Sequence, residues 1–303
     1  MKNNKTKKSM ANKKQTFKEG VKESDLAIKL RDEYAKNVPP PFVATNFIGT
    51  QKHDKNDIWL LERNRYSSNG DKSNKGNENF IPRIEISNRM YEKSPILFVG
   101  MNPSGADYDH YMAYCMHHKR EAIPDVFIYC GDSPYYETME KFASECLEET
   151  VEEGNVSHKY SELDLFGIVQ STQAVIQEHF LQYPQHYVAM FDLFLKYVKI
   201  INPKVIIVAN AFVRKILLRD KDLKLDTTKY KDFYGDNRKS KFKIEEKVND
   251  NYGGHTFTIN TEGGSYTTQL YFSSMLSGQR ALDLGSRENL VWLVRNYLKN
   301  NPK

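Results

Sequence analysis

Three short segments carry residue types and spacings that a plain connector does not require. The first, Gly100-Met101-Asn102-Pro103-Ser104-Gly105, follows the apolar run Pro95-Ile96-Leu97-Phe98-Val99. Gly100 permits an unusual dihedral or a close ligand approach, Pro103 stiffens the turn, and Asn102 offers a neutral amide to a site. The spacing and the Lys-Ser/Thr of a phosphate-cradling loop are missing, and a plain β-turn is the competing reading. The second is Phe272-Ser273-Ser274-Met275-Leu276-Ser277-Gly278-Gln279-Arg280. Small hydroxyls let a backbone approach phosphate. Met275 and Leu276, expected to be exposed, would suit a wedge pushed into stacked bases. Its competing reading is a serine-rich connector with Leu276 packed underneath. The third, Leu163-Asp164-Leu165-Phe166, sets a carboxylate beside an aromatic at a strand end; a helix N-cap aspartate among core neighbours reads equally well.

The elements that would position these segments alternate between helix and strand. Short continuous apolar runs at Pro95–Val99 and Lys204–Ala209 have the signature of buried parallel strands, with a further candidate at Leu163–Phe166. Helical periodicity marks Asp25–Lys36 with Ser24 as N-cap and Asp32 and Glu33 toward solvent, then Tyr135–Glu153, Gln170–Phe180, Tyr187–Ile201, Ala211–Leu218 and Glu288–Leu298. Thr256–Asn260 and Tyr266–Phe272 read as strands around a Glu262-Gly263-Gly264 turn. Ile58–Leu61 is a short strand or helix start, Ser67–Asn79 a polar surface loop, and residues 220–255 a charged insertion. The expected fold is α/β, a doubly wound, mainly parallel sheet with ligands at the carboxyl ends of its strands.

Charge is distributed unevenly. The 303 residues hold 44 Lys+Arg and 39 Asp+Glu, a net of +5, but eight lysines and two glutamates place +6 in residues 1–24 and leave −1 for the rest. A general basic field is thereby excluded, and residues 1–24 read as a disordered basic tail that either binds DNA phosphates or serves as a solubilising terminus. Hydrophobic content of 39% supports a core. No apolar run approaches the roughly 20 residues of a membrane span, and no secretory signal is visible. Cys115, Cys130 and Cys146 fit neither a disulfide framework nor a metal set, and Cys115-Met116-His117-His118 lacks a suitably spaced fourth ligand. The expectation is a metal-free, cofactor-free protein of a reducing cytoplasm.

Taken together, the three segments resemble the uracil-DNA glycosylase superfamily. Gly100-Met101-Asn102-Pro103 matches its Gly-x-Asp/Asn-Pro motif in the Asn form. Ser274, Leu276 and Ser277 match its His/Asn-Pro-Ser-x-Leu-Ser motif, with Phe272 and Ser273 replacing the first two positions. Pro203–Ala209 looks like the family's penultimate strand, with Asn210 where glycine is common, and Leu163–Phe166 resembles the strand whose Asn reads the base edge, with Asp164 in its place. The resemblance spans roughly residues 90–300 and implies a three-layer α/β/α sandwich with a mainly parallel central sheet. It implies one glycosylase-like domain over 25–303, carrying an N-terminal extension (25–90) and the insertion at 220–255.

The implied reaction is hydrolysis of the N-glycosidic bond of a base flipped out of DNA. In that scheme Asn102 orients water and Asp107 or Asp109 supplies a carboxylate. Tyr108 or Tyr111 stacks on the base, and Gly100, Met101, Pro103, Asp164, Phe166, Asn210 and Phe272 surround it. Leu276 fills the vacated stack beside Met275. Ser104, Ser273, Ser274, Ser277, Gln279 and Arg280 hold the strand. Phe272 cannot donate the hydrogen bond of the family's histidine. An ionised Asp164 accepts only, so the expected substrate is a modified, cytosine-like pyrimidine, in repair or anti-phage defence. The rivals are a non-catalytic DNA- or protein-binding member of the fold and a nucleotide- or nucleoside-hydrolysing enzyme; a monomer is expected.

Overall fold

The computed structural model describes residues 16–17, 22–38, 84–101, 103, 126–132, 134–148, 159–168, 173–225, 228–236, 239–247, 252–261, 264–276 and 282–301. Ile58–Leu61, Ser67–Asn79 and nearly all of residues 1–21 lie outside them.

Eight strands and seven helices matter for the site. In chain order they are α1 (Asp25–Asn37), β1 (Ile84–Ser87), β2 (Ile96–Gly100), β3 (Val126–Tyr129), α2 (Pro134–Leu147), β4 (Tyr160–Asp164), α3 (Gln173–Gln182), α4 (Val188–Ile201), β5 (Val205–Val208), α5 (Ala211–Leu218), α6 (Lys231–Tyr234), β6 (Phe242–Glu246), β7 (His255–Thr261), β8 (Gly264–Phe272) and α7 (Leu284–Asn300). The main sheet has the order β6-β7-β8-β5-β2-β4. Within it β4, β2, β5 and β8 are mutually parallel, and the β6-β7-β8 meander closes one side antiparallel. β1 and β3 form a parallel pair of their own, tied to the end of β4 by Glu85 N–H donating to Gly167 O at 2.8 Å and Glu162 N–H to Arg89 O at 2.7 Å.

Burial follows from this order. A strand covered on both faces must be apolar on both, and Ile96–Val99 and Val205–Val208 are almost fully buried. Alternate residues feed two separate cores. Leu97, Val99, Ile206 and Val208 join α1, α3, α4, α5 and α6; Ile96, Phe98, Val205 and Ile207 join α2 and α7.

Several expectations change. β4 begins at Tyr160 and ends at Asp164, so Leu165 and Phe166 follow the strand instead of ending it. α2 stops at Leu147, and α7 starts earlier, at Leu284, where Asp283 accepts from Ser286 N–H at 2.9 Å. β1 and β3 were not foreseen. Helix α1 of the supposed extension sits inside the core through Leu26, Ala27, Leu30 and Tyr34. Its Ser24 cap does accept from Ala27 N–H, but Glu33 accepts from Lys196 and the Tyr197 hydroxyl instead of lying free in solvent. The end of the supposed tail is pinned as well: Ser24 N–H donates to Asn88 Oδ1 at 2.6 Å and the Asn88 amide donates to Lys22 O. The charged stretch 220–255 supplies edge strand β6 and four buried aromatics, Tyr230, Phe233, Tyr234 and Phe242. It is part of the fold, because aromatics spaced among charges bury one face and leave the charges outside.

Gly254, at the entry to β7, has φ +77°, and a Cβ there would meet Gln269, Leu270 O and Tyr271 at 2.8 Å. Gly254→Ala is expected to cost about 1–3 kcal/mol of unfolding free energy in urea titrations; a loss below about 0.5 kcal/mol would contradict that strain.

Candidate functional site at the strand ends

The four parallel strands finish side by side. Gly100 is in register with Asp164, and Val99 with Val208. Beyond the last strand residues the backbone keeps the row closed. Leu165 N–H donates to Gly100 O (3.0 Å), Phe166 N–H to Met101 O (2.9 Å), Ala209 N–H to Val99 O (3.0 Å) and Ser273 N–H to Val208 O (2.9 Å). The three segments singled out in the sequence, together with the end of β5, therefore meet along one rim. In chain order the parallel strands lie second-first-third-fourth, which puts the reversal of winding, and the crevice that binds ligands in such sheets, between the ends of β2 and β5.

Individual side chains divide into those that face the rim and those spent on the fold. At Gly100 a Cβ would fall on Asp164 Oδ1, so any larger residue would require that carboxyl to move aside. Asp164 keeps part of its surface, and its carboxyl has no hydrogen-bond partner among the described residues. Met101 (1% exposed) and Pro103 are buried, so neither offers the base-lining surface expected of it. Phe166 is not a stacking platform; it is sealed among Tyr187 (4.5 Å between ring centroids), Phe180 (5.5 Å) and Phe233. Asn210 is committed as the cap of α5, its Oδ1 accepting from Phe212 and Val213 N–H and its amide donating to Gln173. Leu276 is 6% exposed and packed with the α2/α7 core, so it does not project as a wedge; the apolar environment beneath the last strand claims it. Met275 is half-buried. Ser274 is exposed, and the Ser273 hydroxyl donates to Ser274 O at 2.8 Å. Asn102, Ser104, Asp107, Tyr108, Asp109, Tyr111, Cys115, His117, His118, Ser277, Gln279 and Arg280 lie outside the described residues.

The structure adds groups that the sequence did not announce. Glu162 precedes Asp164 by two residues, so both point to the α2 face of β4. Glu85 of β1 joins them from the neighbouring strand pair, beneath Tyr135 and Tyr136 at the start of α2. Burial raises all three carboxyls, and their mutual repulsion adds to it for Glu85 and Asp164: Glu85 is pushed up to about 8, Glu162 to about 7, and Asp164 lies well above the usual carboxylate range. Hydrogen bonds from Ser87 and Tyr136 and the positive Arg89 hold Glu162 back from a larger rise. Arg89 in turn lies over the Tyr136 ring, 3.9 Å from its centroid. Glu162 Oε2 is buried without a hydrogen-bond partner among the described residues. Asp164 is therefore shifted toward its protonated form, which offers an O–H donor and a C=O acceptor together, whereas the ionised form accepts only. A second group lies at the β8 end. His255 meets the Phe272 ring edge-on at 5.0 Å, and Arg214 lies 5.7 Å from the same ring. The signal for the acids was present as Glu162-Leu163-Asp164, two acids on one face of a strand otherwise built for burial. His255 carried none.

Among the described residues no cluster of His, Cys, Asp and Glu is arranged to hold a metal ion, and burial raises the Cys130 thiol to about 12, where it is inert as a ligand or nucleophile. No protein-family model matches the chain, and no curated protein matches its sequence.

The raised carboxyls carry a stability consequence. An acid raised on folding contributes stability that is complete below its unfolded value near 4.5 and is lost as pH climbs through the folded value, near 8 for Glu85. Glu85→Gln is expected to flatten that decline. Its unfolding free energy relative to the parent should improve by at least about 1 kcal/mol between about pH 5 and pH 8.5. Parallel curves over that window would show that Glu85 is ionised throughout.

Proposed function

We propose that the chain is a metal-free DNA glycosylase of the uracil-DNA glycosylase type, in a three-layer α/β/α arrangement, releasing an altered, cytosine-like base. The observation that carries the reading is the single rim on which the ends of β4, β2, β5 and β8 (Asp164, Gly100, Asn210 and Phe272–Ser274) meet, around the switch point between β2 and β5. That is where a ligand site belongs in a doubly wound sheet, and it unites segments separated by more than a hundred positions. Helices packed on both faces support the layered arrangement.

Within this reading the chemistry divides by atom. Cleavage breaks the C1′–N bond, leaving electron density on the base and positive charge on the sugar. Asn102 orients the water whose oxygen bonds to C1′, and the proton that water loses passes to the Asp107 carboxylate and ends, through solvent, on the departing base. Neutral Asp164 pairs with a cytosine-like edge at two points: its C=O accepts from the exocyclic amine, and its O–H donates to the ring nitrogen. The second hydrogen bond strengthens as negative charge develops on the departing base, which stabilises the transition state more than the ground state. An amide positions water but removes no proton efficiently, so the base must leave easily.

A second reading gains from one finding. The burial of Leu276 removes the feature that favoured duplex DNA over small substrates, so a hydrolase of free nucleosides uses the same rim with equal economy.

Incubation with DNA carrying a panel of modified pyrimidines is expected to yield free base and alkali-labile sites, with Asn102→Ala lowering the rate by about 10²-fold or more. Binding without abasic sites would leave only the non-catalytic member of the fold standing; release from nucleosides but not from DNA would select the second reading. The parent rate should fall as pH rises through the raised Asp164 range, and Asp164→Asn should remove the fall while retaining base release. A parent profile flat up to about pH 9 would take the neutral carboxyl out of the mechanism.

A further inference from the structure

A cavity of about 360 Å³ lies at the other end of the sheet from the rim, where helix α5 finishes. α5 starts at the carboxyl end of β5 and runs back about 12 Å, so its last residues lie toward the opposite edge. Among the described residues the cavity is walled by Arg219, Lys221, Lys224 and Lys231, with Asp220 as the one acid, over a floor of Tyr230 and Tyr234. Arg219 and Lys224 adopt left-handed backbone conformations (φ 52° and 46°) that bend the chain around it.

The segment 219–236 is balanced overall, with five cations and five acids, but it turns four of its cations and only Asp220 of its described acids to the cavity lining. Asp220 is occupied in accepting from Asp222 N–H at 2.9 Å. Asp222 faces Lys215, and Asp236 faces Lys231 at 3.6 Å, both in exposed pairs of little energetic weight. Arg219 is oriented from behind: it donates to Ser240 Oγ at 2.6 Å and lies 4.7 Å from the centroid of the Tyr234 ring. Lys221 and Lys224 are exposed and have no ion pair among the described residues. The tyrosine hydroxyls are also committed, Tyr230 to Leu181 O and Tyr234 to Ile216 O, which fixes the floor. The volume falls in the range of small-molecule sites.

We propose that this cavity binds a small phosphate monoester, its phosphate held by Lys221, Lys224 and Arg219 and its remaining body lying over Tyr230, Tyr234 and Leu225. The site is separate from the strand-end rim and does not depend on the function assigned there.

Calorimetric titration of the full chain with AMP, adenosine, inorganic phosphate and an oligonucleotide lacking terminal phosphates tests this. AMP should bind at least about tenfold more tightly than adenosine. The double variant Lys221→Gln/Lys224→Gln should lose at least about tenfold in AMP affinity, while Lys141→Gln on α2 and Asn102→Ala leave it unchanged. Because both lysines are exposed, the double variant should keep its thermal midpoint, and an unchanged midpoint makes the loss attributable to the site. Inorganic phosphate competing with AMP would support the phosphate position. Equal affinity for AMP and adenosine, undiminished AMP binding by the double variant, or an oligonucleotide binding the cavity more tightly than AMP would each overturn the proposal.

Discussion

Everything at the rim depends on three parallel strands being in step. Ile96 is paired with both Tyr160 and Val205, so β4, β2 and β5 start at one level and finish at another common level. A shift of one residue would turn every alternate side chain to the other face, exchanging the two cores and carrying Asp164 and Glu162 away from Tyr135 and Tyr136. The register is fixed by burial on both faces, since neither β2 nor β5 has a solvent side on which a slipped residue could be accommodated.

That register creates the electrostatic problem at the site and also its resolution. Three carboxyls brought under α2 cannot all ionise in a poorly hydrated interior. Arg89, Ser87 and Tyr136 compensate chiefly Glu162, while burial and mutual repulsion shift Glu85 and Asp164 toward their protonated forms. The upward shift of Asp164 is therefore set by the strand arrangement, first through its burial and then through repulsion from Glu162 and Glu85.

The sequence was most legible where local chemistry and tertiary demand agree. Ala211–Leu218 forms a helix with the expected ends because Asn210 caps it and an apolar stripe faces the sheet. The strand ending at Gly100, the Lys204–Ala209 strand and the β7–β8 hairpin were readable for the same reason. Ile84-Glu85-Ile86-Ser87 was not, because a glutamate in a short alternating segment suggests a solvent face, and only the other acids and tyrosines brought from elsewhere make its burial tolerable. The role expected of Phe166 failed through a similar gap: an aromatic after a strand serves a ligand or a core equally well, and Tyr187, Phe180 and Phe233 decide for the core. The charge state of Asp164 and the place of His255 beside Phe272 are relations between distant segments and have no local sequence signature.

The edge strand β6 bears on how the chain behaves among copies of itself. Its Lys243, Glu245 and Glu246 are exposed, with Lys243 and Glu245 paired at 2.6 Å. Another strand laid along this border would have to bring its side chains against a row of alternating charges, a penalty that natural sheets use to stop growth. The sheet thus runs from an interior that tolerates almost no polarity to a border that repels additional strands, and the segment that looked like a charged insertion is what ends it.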